Sequence, residues 1–187
     1  MNLERKLSVI PDQERAFIEG TITNIGNELL FVDDINEEAY DLEDLSIELE
    51  IHLNGRWKKG TIIDDTILYI DNNIHYLKDG DYVRFRKSLP YALEQLIEEL
   101  SDEAYLQFVK TLNSLSYSLY DCIYCHNFLS FLESRFIKEG MNVMIFDNEE
   151  QLCVVQHFFD RRSENKQDRF EYTQSDGKRL VTTSFHC

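Results

Sequence analysis

Hydrophobic and polar positions alternate through much of the first 88 residues. Leu3, Leu7 and Ile10 stand at helical spacing, and Pro11 ends that short run. From Ala16 the period changes to two. Ile47, Leu49, Ile51 and Leu53 alternate with Glu48, Glu50 and His52, as a strand with one buried face requires. Asn54-Gly55 follows, a pair that tolerates the positive φ angles of a tight hairpin turn, and Arg56 onward reads as the return strand. Gly26-Asn27, Asp64-Asp65, Asp71-Asn72-Asn73 and Asp79-Gly80-Asp81 mark further turns between short apolar runs.

At Ser88-Leu89-Pro90 the period lengthens. Leu93, Leu96, Ile97 and Leu100 form a helical stripe, and a second helix starts at Ser101 with Tyr105, Phe108, Val109 and Leu112 on its apolar side. A third helical stretch is predicted from about Ser118 to Glu139, with Gly140 as its C-cap. Strands return at Val143–Phe146, Leu152–Phe159, Phe170–Tyr172 and Leu180–Val181, the last two joined at Asp176-Gly177. Blocks of strands, then helices, then strands predict an α+β fold. Residues 1–88 are expected to form a small antiparallel β-barrel-like module of SH3 or OB size. Residues 89–187 would supply central helices and C-terminal antiparallel β-hairpins, either as a second domain or in one compact unit with the first.

Composition supports a folded chain. Hydrophobic residues make up 43% of 187, aromatics 12%, and Pro occurs only twice, so a packed core is affordable and long linkers are not expected. Charge narrows the partners. With 35 acidic against 19 basic residues the formal charge is −16, a field that repels phosphate backbones and anionic lipid. No nucleic-acid or membrane partner is expected. The N-terminus has no apolar signal segment and no apolar stretch is long enough to span a bilayer, and four cysteines without a dense pairing pattern fit reduced thiols. The expected location is the cytoplasm.

Arg15-Ala16-Phe17-Ile18-Glu19-Gly20, Leu112-Asn113-Ser114, Tyr120-Asp121-Cys122-Ile123-Tyr124-Cys125, Met144-Ile145-Phe146-Asp147 and Val155-Gln156-His157 together carry a likeness. Over nearly its whole length the chain resembles an uncharacterised domain-of-unknown-function family of Bacillus-type bacteria. The resemblance implies a bacterial cytoplasmic protein and transfers no chemistry.

The most suggestive chemistry is Cys122-Ile123-Tyr124-Cys125-His126. On a helix, Cys122, Cys125 and His126 share a face, and thiolate with imidazole suits zinc, which would need a fourth ligand. Cys153, His157, His186 and Cys187 are candidates for it. A redox reading expects a βαβ setting, which the pattern lacks. Packing is the simpler reading, since Cys122 falls on the stripe Leu115, Leu119, Leu129, Leu132 and Phe136. Cys153 and His157, four residues apart on a strand, lie roughly 13 Å apart and do not reach one another.

Glu28 to Glu50 holds ten acids and no Lys or Arg. Its spacing matches no EF-hand loop, and it reads as a solvated edge or a face for an unknown protein partner. Arg56, Lys58 and Lys59 around Trp57, and Arg84, Arg86 and Lys87, offer an aromatic among bases that can stack a nucleotide, although exposed strand positions explain them as well. Phosphate loops, the GxSxG elbow and HExxH are missing. The pattern therefore favours a non-enzymatic protein-interaction module, with a zinc protein using Cys122, Cys125 and His126, or a small-molecule enzyme with a pocket between the β module and the helices, as alternatives.

Overall fold

The computed structural model describes residues 2–10, 13–26, 28–45, 48–64, 66–132, 138–161 and 166–186. Pro11, Asn27, Ile47, Asp65, Phe136 and Cys187, all used in the sequence reading, lie outside the described residues. The chain divides into two compact units, Phe17–Lys87 and the combination of Met1–Ala16 with Ser88–Cys187.

Within Phe17–Lys87 eight strands form one antiparallel sheet. They are β1 (Phe17–Ile25), β2 (Glu28–Asp33), β3 (Ala39–Asp41), β4 (Glu48–Leu53), β5 (Arg56–Asp64), β6 (Ile67–Ile70), β7 (Asn73–Tyr76) and β8 (Tyr82–Arg86). Their order is β3-β2-β1-β8-β4-β5-β6-β7. Asn54 and Gly55 take φ of 53° and 76°, so the β4–β5 hairpin turns where the sequence places it. Ile22, Phe31, Leu49, Ile51, Leu68 and Val83 point to one side and are fully buried. Gly20 is required beneath them, because a Cβ there would stand 2.1 Å from the Val32 carbonyl oxygen.

The other unit holds α1 (Leu3–Val9), α2 (Tyr91–Glu99), α3 (Asp102–Ser114) and a five-stranded antiparallel sheet. Its strands are β9 (Cys122–His126), β10 (Glu139–Asp147), β11 (Leu152–Asp160), β12 (Lys166–Gln174) and β13 (Arg179–His186), ordered β13-β12-β11-β10-β9. Leu93, Leu96 and Ile97 of α2 and Tyr105, Phe108, Val109 and Leu112 of α3 are buried, as their spacing requires. Ser101 caps α3 by accepting from the Ala104 N–H. The Phe108 ring stacks on Phe170 of β12 at 5.1 Å, which fixes one side of the sheet as the core side.

Lys6 of α1 is 1% exposed. Its ammonium donates to the carbonyl oxygens of Ile97 (2.6 Å), Leu100 (2.6 Å) and Glu98 (3.3 Å), which α2 leaves without helical partners at its C-terminal end. Burial pushes the Lys6 amine below its ordinary value, against the nearby charges of Asp102 and Glu98.

The expected α+β layout is corrected. The architecture is dominated by two large antiparallel sheets, and the N-terminal unit is no closed barrel: its end strands β3 and β7 do not pair with each other among the described residues. The C-terminal hairpins β10–β11 and β12–β13 join with β9 in one five-stranded sheet. The third helix is replaced by a 3-10 turn at Leu119–Asp121, by β9, and by another 3-10 turn at Leu129–Leu132. Ser118 and Asp121 form a reciprocal capping box around the first turn, and pairing of Tyr124, Cys125 and His126 with β10 draws the next residues into the sheet. A short apolar run does not distinguish helix from strand, and the neighbouring strand decides it. Gly140, expected as a helix cap, is inside β10. Among the described residues no helix is long and apolar enough to cross a membrane.

Candidate functional site

Three adjacent strands each place one polar residue on the apolar core side of the five-stranded sheet. Asn142 of β10 sits directly opposite His157 of β11, and Asp168 of β12 lies diagonally beside it; all three are 0% exposed. The Asn142 side-chain oxygen accepts from the backbone N–H of Phe128 (2.7 Å) and of Leu129 (3.2 Å). Its Nδ2 is thereby turned to His157 Nδ1 at 3.0 Å and donates to it. His157 Nε2 then carries the proton and donates to Asp168 Oδ1 at 2.7 Å, an oxygen that also accepts from Arg161 Nη2. The hydrogen-bond pattern thus assigns a neutral His157 with its proton on Nε2. Arg161 further donates to the Gln167 carbonyl oxygen at 2.9 Å.

Burial lowers the His157 pKa and outweighs the Asp168 carboxylate, which raises it. Burial alone would raise Asp168, but the His157 hydrogen bond and the Arg161 guanidinium hold it below the usual carboxylate range. The Phe170 ring covers the imidazole in a parallel stack at 4.3 Å. The arrangement has the partners of a catalytic dyad without access to a substrate. Both ring nitrogens are engaged, so neither is available to Cys153, which is buried on the same strand.

Sequence reasoning missed Asp168 and Asn142 as partners of His157. The usable signal was parity. Asn142, His157 and Asp168 occupy the same alternation class as Met144 and Phe146, Val155 and Phe159, and Phe170 and Tyr172 on their respective strands.

The cysteine cluster forms on a strand, not a helix. Cys122 and Cys125 stand beside Phe146 and Met144, both core-facing residues, because a bulge at Ile123 restores their common side. His126 stands beside Val143 on the opposite face. The fold therefore brings the two thiols to one side of the sheet and His126 to the other. Burial pushes the Cys122 and Cys125 thiols up to about 12 and Cys153 up to about 11. Among the described residues no group of three or more His, Cys, Asp or Glu side chains is arranged to hold a metal ion.

The acidic segment is partly engaged within its own unit. Asp33 is buried and accepts from the backbone N–H of Ile35 and Asn36 and from the Asn36 amide. Glu48 pairs with Lys59 at 2.6 Å, and Glu50 with Arg84 at 2.7 Å. Arg84 is sandwiched between the rings of Phe17 (4.0 Å) and Trp57 (4.3 Å), and Trp57 packs on His52 and Tyr82. Of the bases read as a stacking face, Lys59 and Arg84 are thus tied to acids of this segment. Glu28, Asp41, Glu43 and Asp44 line a cleft floored by Leu29, Leu30 and Leu42.

The outward face of the five-stranded sheet carries the opposite character. Ile145 of β10 lies between Tyr124 of β9 and Val154 of β11, which are 49% and 37% exposed. Val143 extends the row along β10, and Val181 and Phe185 of β13 are 58% and 65% exposed. Asp147, Glu149 and Glu150 stand at one end of the β10–β11 hairpin, and Glu139 pairs in register with Asp160 at the other. Between Val154 and Val181 the outward row of β12 is polar, with Arg169 paired to Glu171 at 2.9 Å, so the exposed apolar groups lie on either side of an ion pair.

Comparison with known proteins follows the chain almost end to end. Residues 4–184 match a family described as "Protein of unknown function (DUF2777)". A relative from Bacillus subtilis (strain 168), described as "Uncharacterized protein YisN", is 32% identical over 131 residues, covering 70% of this chain and 67% of the relative. No solved structure matches.

Proposed function

We propose that this chain, which belongs to the DUF2777 family of proteins of unknown function, is a non-enzymatic protein-interaction module of the cytoplasm. The family membership anticipated from the sequence is borne out. One observation carries the functional reading: the outward face of the five-stranded sheet exposes Tyr124, Val154, Val181 and Phe185 on either side of the Arg169–Glu171 pair. Exposed apolar side chains held on a rigid sheet around an ion pair have the make-up of a protein interface. The net charge points to the partner's chemistry. A segment with apolar residues and Lys or Arg beside them matches the exposed apolar groups, and the net charge of −16 steers such a partner toward the chain.

The geometry favours this reading over the alternatives. The groups suited to chemistry, His157, Asp168 and the Cys122 thiol, are buried, whereas the apolar groups are on the surface. Cys122 and Cys125 face away from His126, which removes the shared face that a zinc site built from those three would use.

Quantitative affinity purification from the native host tests the proposal, comparing wild type with Val154→Glu. The expected result is one basic protein at a fixed ratio with wild type and its loss from the variant, with the variant's melting temperature unchanged. Recovery of the same proteins with both, or a monomer alone with wild type, opposes it.

A further inference from the structure

The buried polar chain ends in a structural element, and that gives the proton on His157 a consequence. Asn142 has one oxygen and one NH2 group. The oxygen receives the N–H groups of Phe128 and Leu129, so the NH2 must face His157 Nδ1. These two amides begin the 3-10 turn Leu129–Leu132, whose Leu129 and Leu132 pack on Phe159. The Phe128 ring lies against Gly140, where an added Cβ would stand 2.7 Å from it. Asn142 therefore fastens the Phe128–Leu132 turn to the sheet only while His157 Nδ1 accepts a hydrogen bond.

We infer that His157 and Asn142 form a proton-sensitive latch that holds the Phe128–Leu132 turn against the sheet when His157 is neutral and releases it when His157 takes a proton. A proton on Nδ1 would set an N–H against the Asn142 NH2, two donors with no acceptor between them. Rotating the amide by half a turn satisfies His157 but points the NH2 at the Phe128 and Leu129 N–H groups. Either arrangement loses buried hydrogen bonds, and opening the turn to water restores them. The charged groups acting on His157 are Asp168 from β12 and Arg161 just beyond β11; β10 supplies only the neutral Asn142, and the turn supplies backbone N–H. Asp168 draws the proton toward the ring, Arg161 opposes it, and burial opposes it most, so the closed state holds a neutral ring. This inference concerns control of the turn and holds whatever the outward face of the sheet binds.

Hydrogen exchange of the Phe128 and Leu129 amides, corrected for the intrinsic dependence on pH, tests the latch on the full chain. With an ordinary histidine pKa of 6.5 in the opened turn, opening rises about tenfold between pH 7.5 and 5.5. The expected result is a tenfold loss of protection at these two amides, which stay less protected than those of Met144 and Val155 at both pH values. In Asn142→Asp the carboxylate accepts from the backbone amides and also from a protonated Nδ1, so protection should stay level across the same range. The latch is overturned if the turn amides keep their protection at pH 5.5, or match the sheet amides in protection throughout and so open only with the sheet. A tenfold loss that persists in Asn142→Asp overturns it as well. Should Asn142→Asp fail to fold, the wild-type comparison of turn with sheet amides decides alone.

Discussion

Replacing Lys6 with Met removes a buried cation while keeping a side chain of similar length and flexibility. The ammonium makes three hydrogen bonds to carbonyl oxygens at the end of α2, two of them at 2.6 Å. Only the protonated amine has three donors, so these are charge-assisted bonds. Without Lys6, the Ile97 and Leu100 carbonyls lose their partner in a site closed to water, at about 1–3 kcal/mol each. The cation's interaction with the negative end of α2 contributes about 1 kcal/mol more. Against this stands the desolvation of the ammonium, visible in its lowered pKa, which Met does not incur. The balance is a loss of about 3 kcal/mol, or a fall in melting temperature of roughly 6–12 °C for a chain of this size. Urea and thermal unfolding at pH 7, followed by circular dichroism, measure both. A stability within about 0.5 kcal/mol of wild type would show that desolvation cancels the cap, and the reasoning would fail.

Three further outcomes follow from the same structure. At pH 8 the buried Cys122 and half-buried Cys125 thiols should alkylate roughly 1000-fold more slowly than an unfolded thiol, because a pKa of about 12 leaves almost no thiolate; mass spectrometry of a native time course reads this, and rapid labelling of either contradicts it. Because His157 is held below its ordinary 6.5, the unfolded chain binds the proton first. Stability from this group is complete above about pH 6.5 and declines below it by up to about 1.4 kcal/mol per pH unit, with Asp168 adding its own loss only in stronger acid, below its ordinary 3.8. His157→Gln should flatten the slope between pH 6.5 and 4.5 in chemical denaturation, and an unaltered slope would count against the assignment. Gly20→Ala should destabilise the Phe17–Lys87 unit by about 3 kcal/mol or more, since the new methyl meets the Val32 backbone at 2.1 Å, with Trp57 fluorescence as the readout. An unchanged midpoint would contradict that close approach.

Helices with a full apolar stripe and turns with a required φ were legible in the sequence. Leu93, Leu96 and Ile97 predicted α2, and Asn54-Gly55 placed the β4–β5 hairpin. The segment after Ser118 was not legible, because Leu119, Cys122, Leu129 and Leu132 fit a helical period while β9 forms by pairing with β10, some twenty residues on. Long-range pairing of this kind leaves no local mark. Lys6 was hidden for a related reason: a lysine on a helix face reads as solvated until the carbonyls that receive it, more than 90 residues away, are in place. The candidate surface was half visible. Alternation marked Val143, Ile145 and Val154 as strand residues, but which side packs on α3 depends on tertiary contacts such as Phe108 with Phe170.

The central claim is that the outward face of the five-stranded sheet receives a protein segment with apolar residues and Lys or Arg beside them. A photo-crosslinking residue placed at Val154 in the native host, with a control at the exposed Glu103 of α3, tests it most directly. One discrete adduct is expected from position 154, its partner peptide bearing Lys or Arg beside apolar residues, and none from position 103. Equal adducts from both positions, or none from 154, would contradict it.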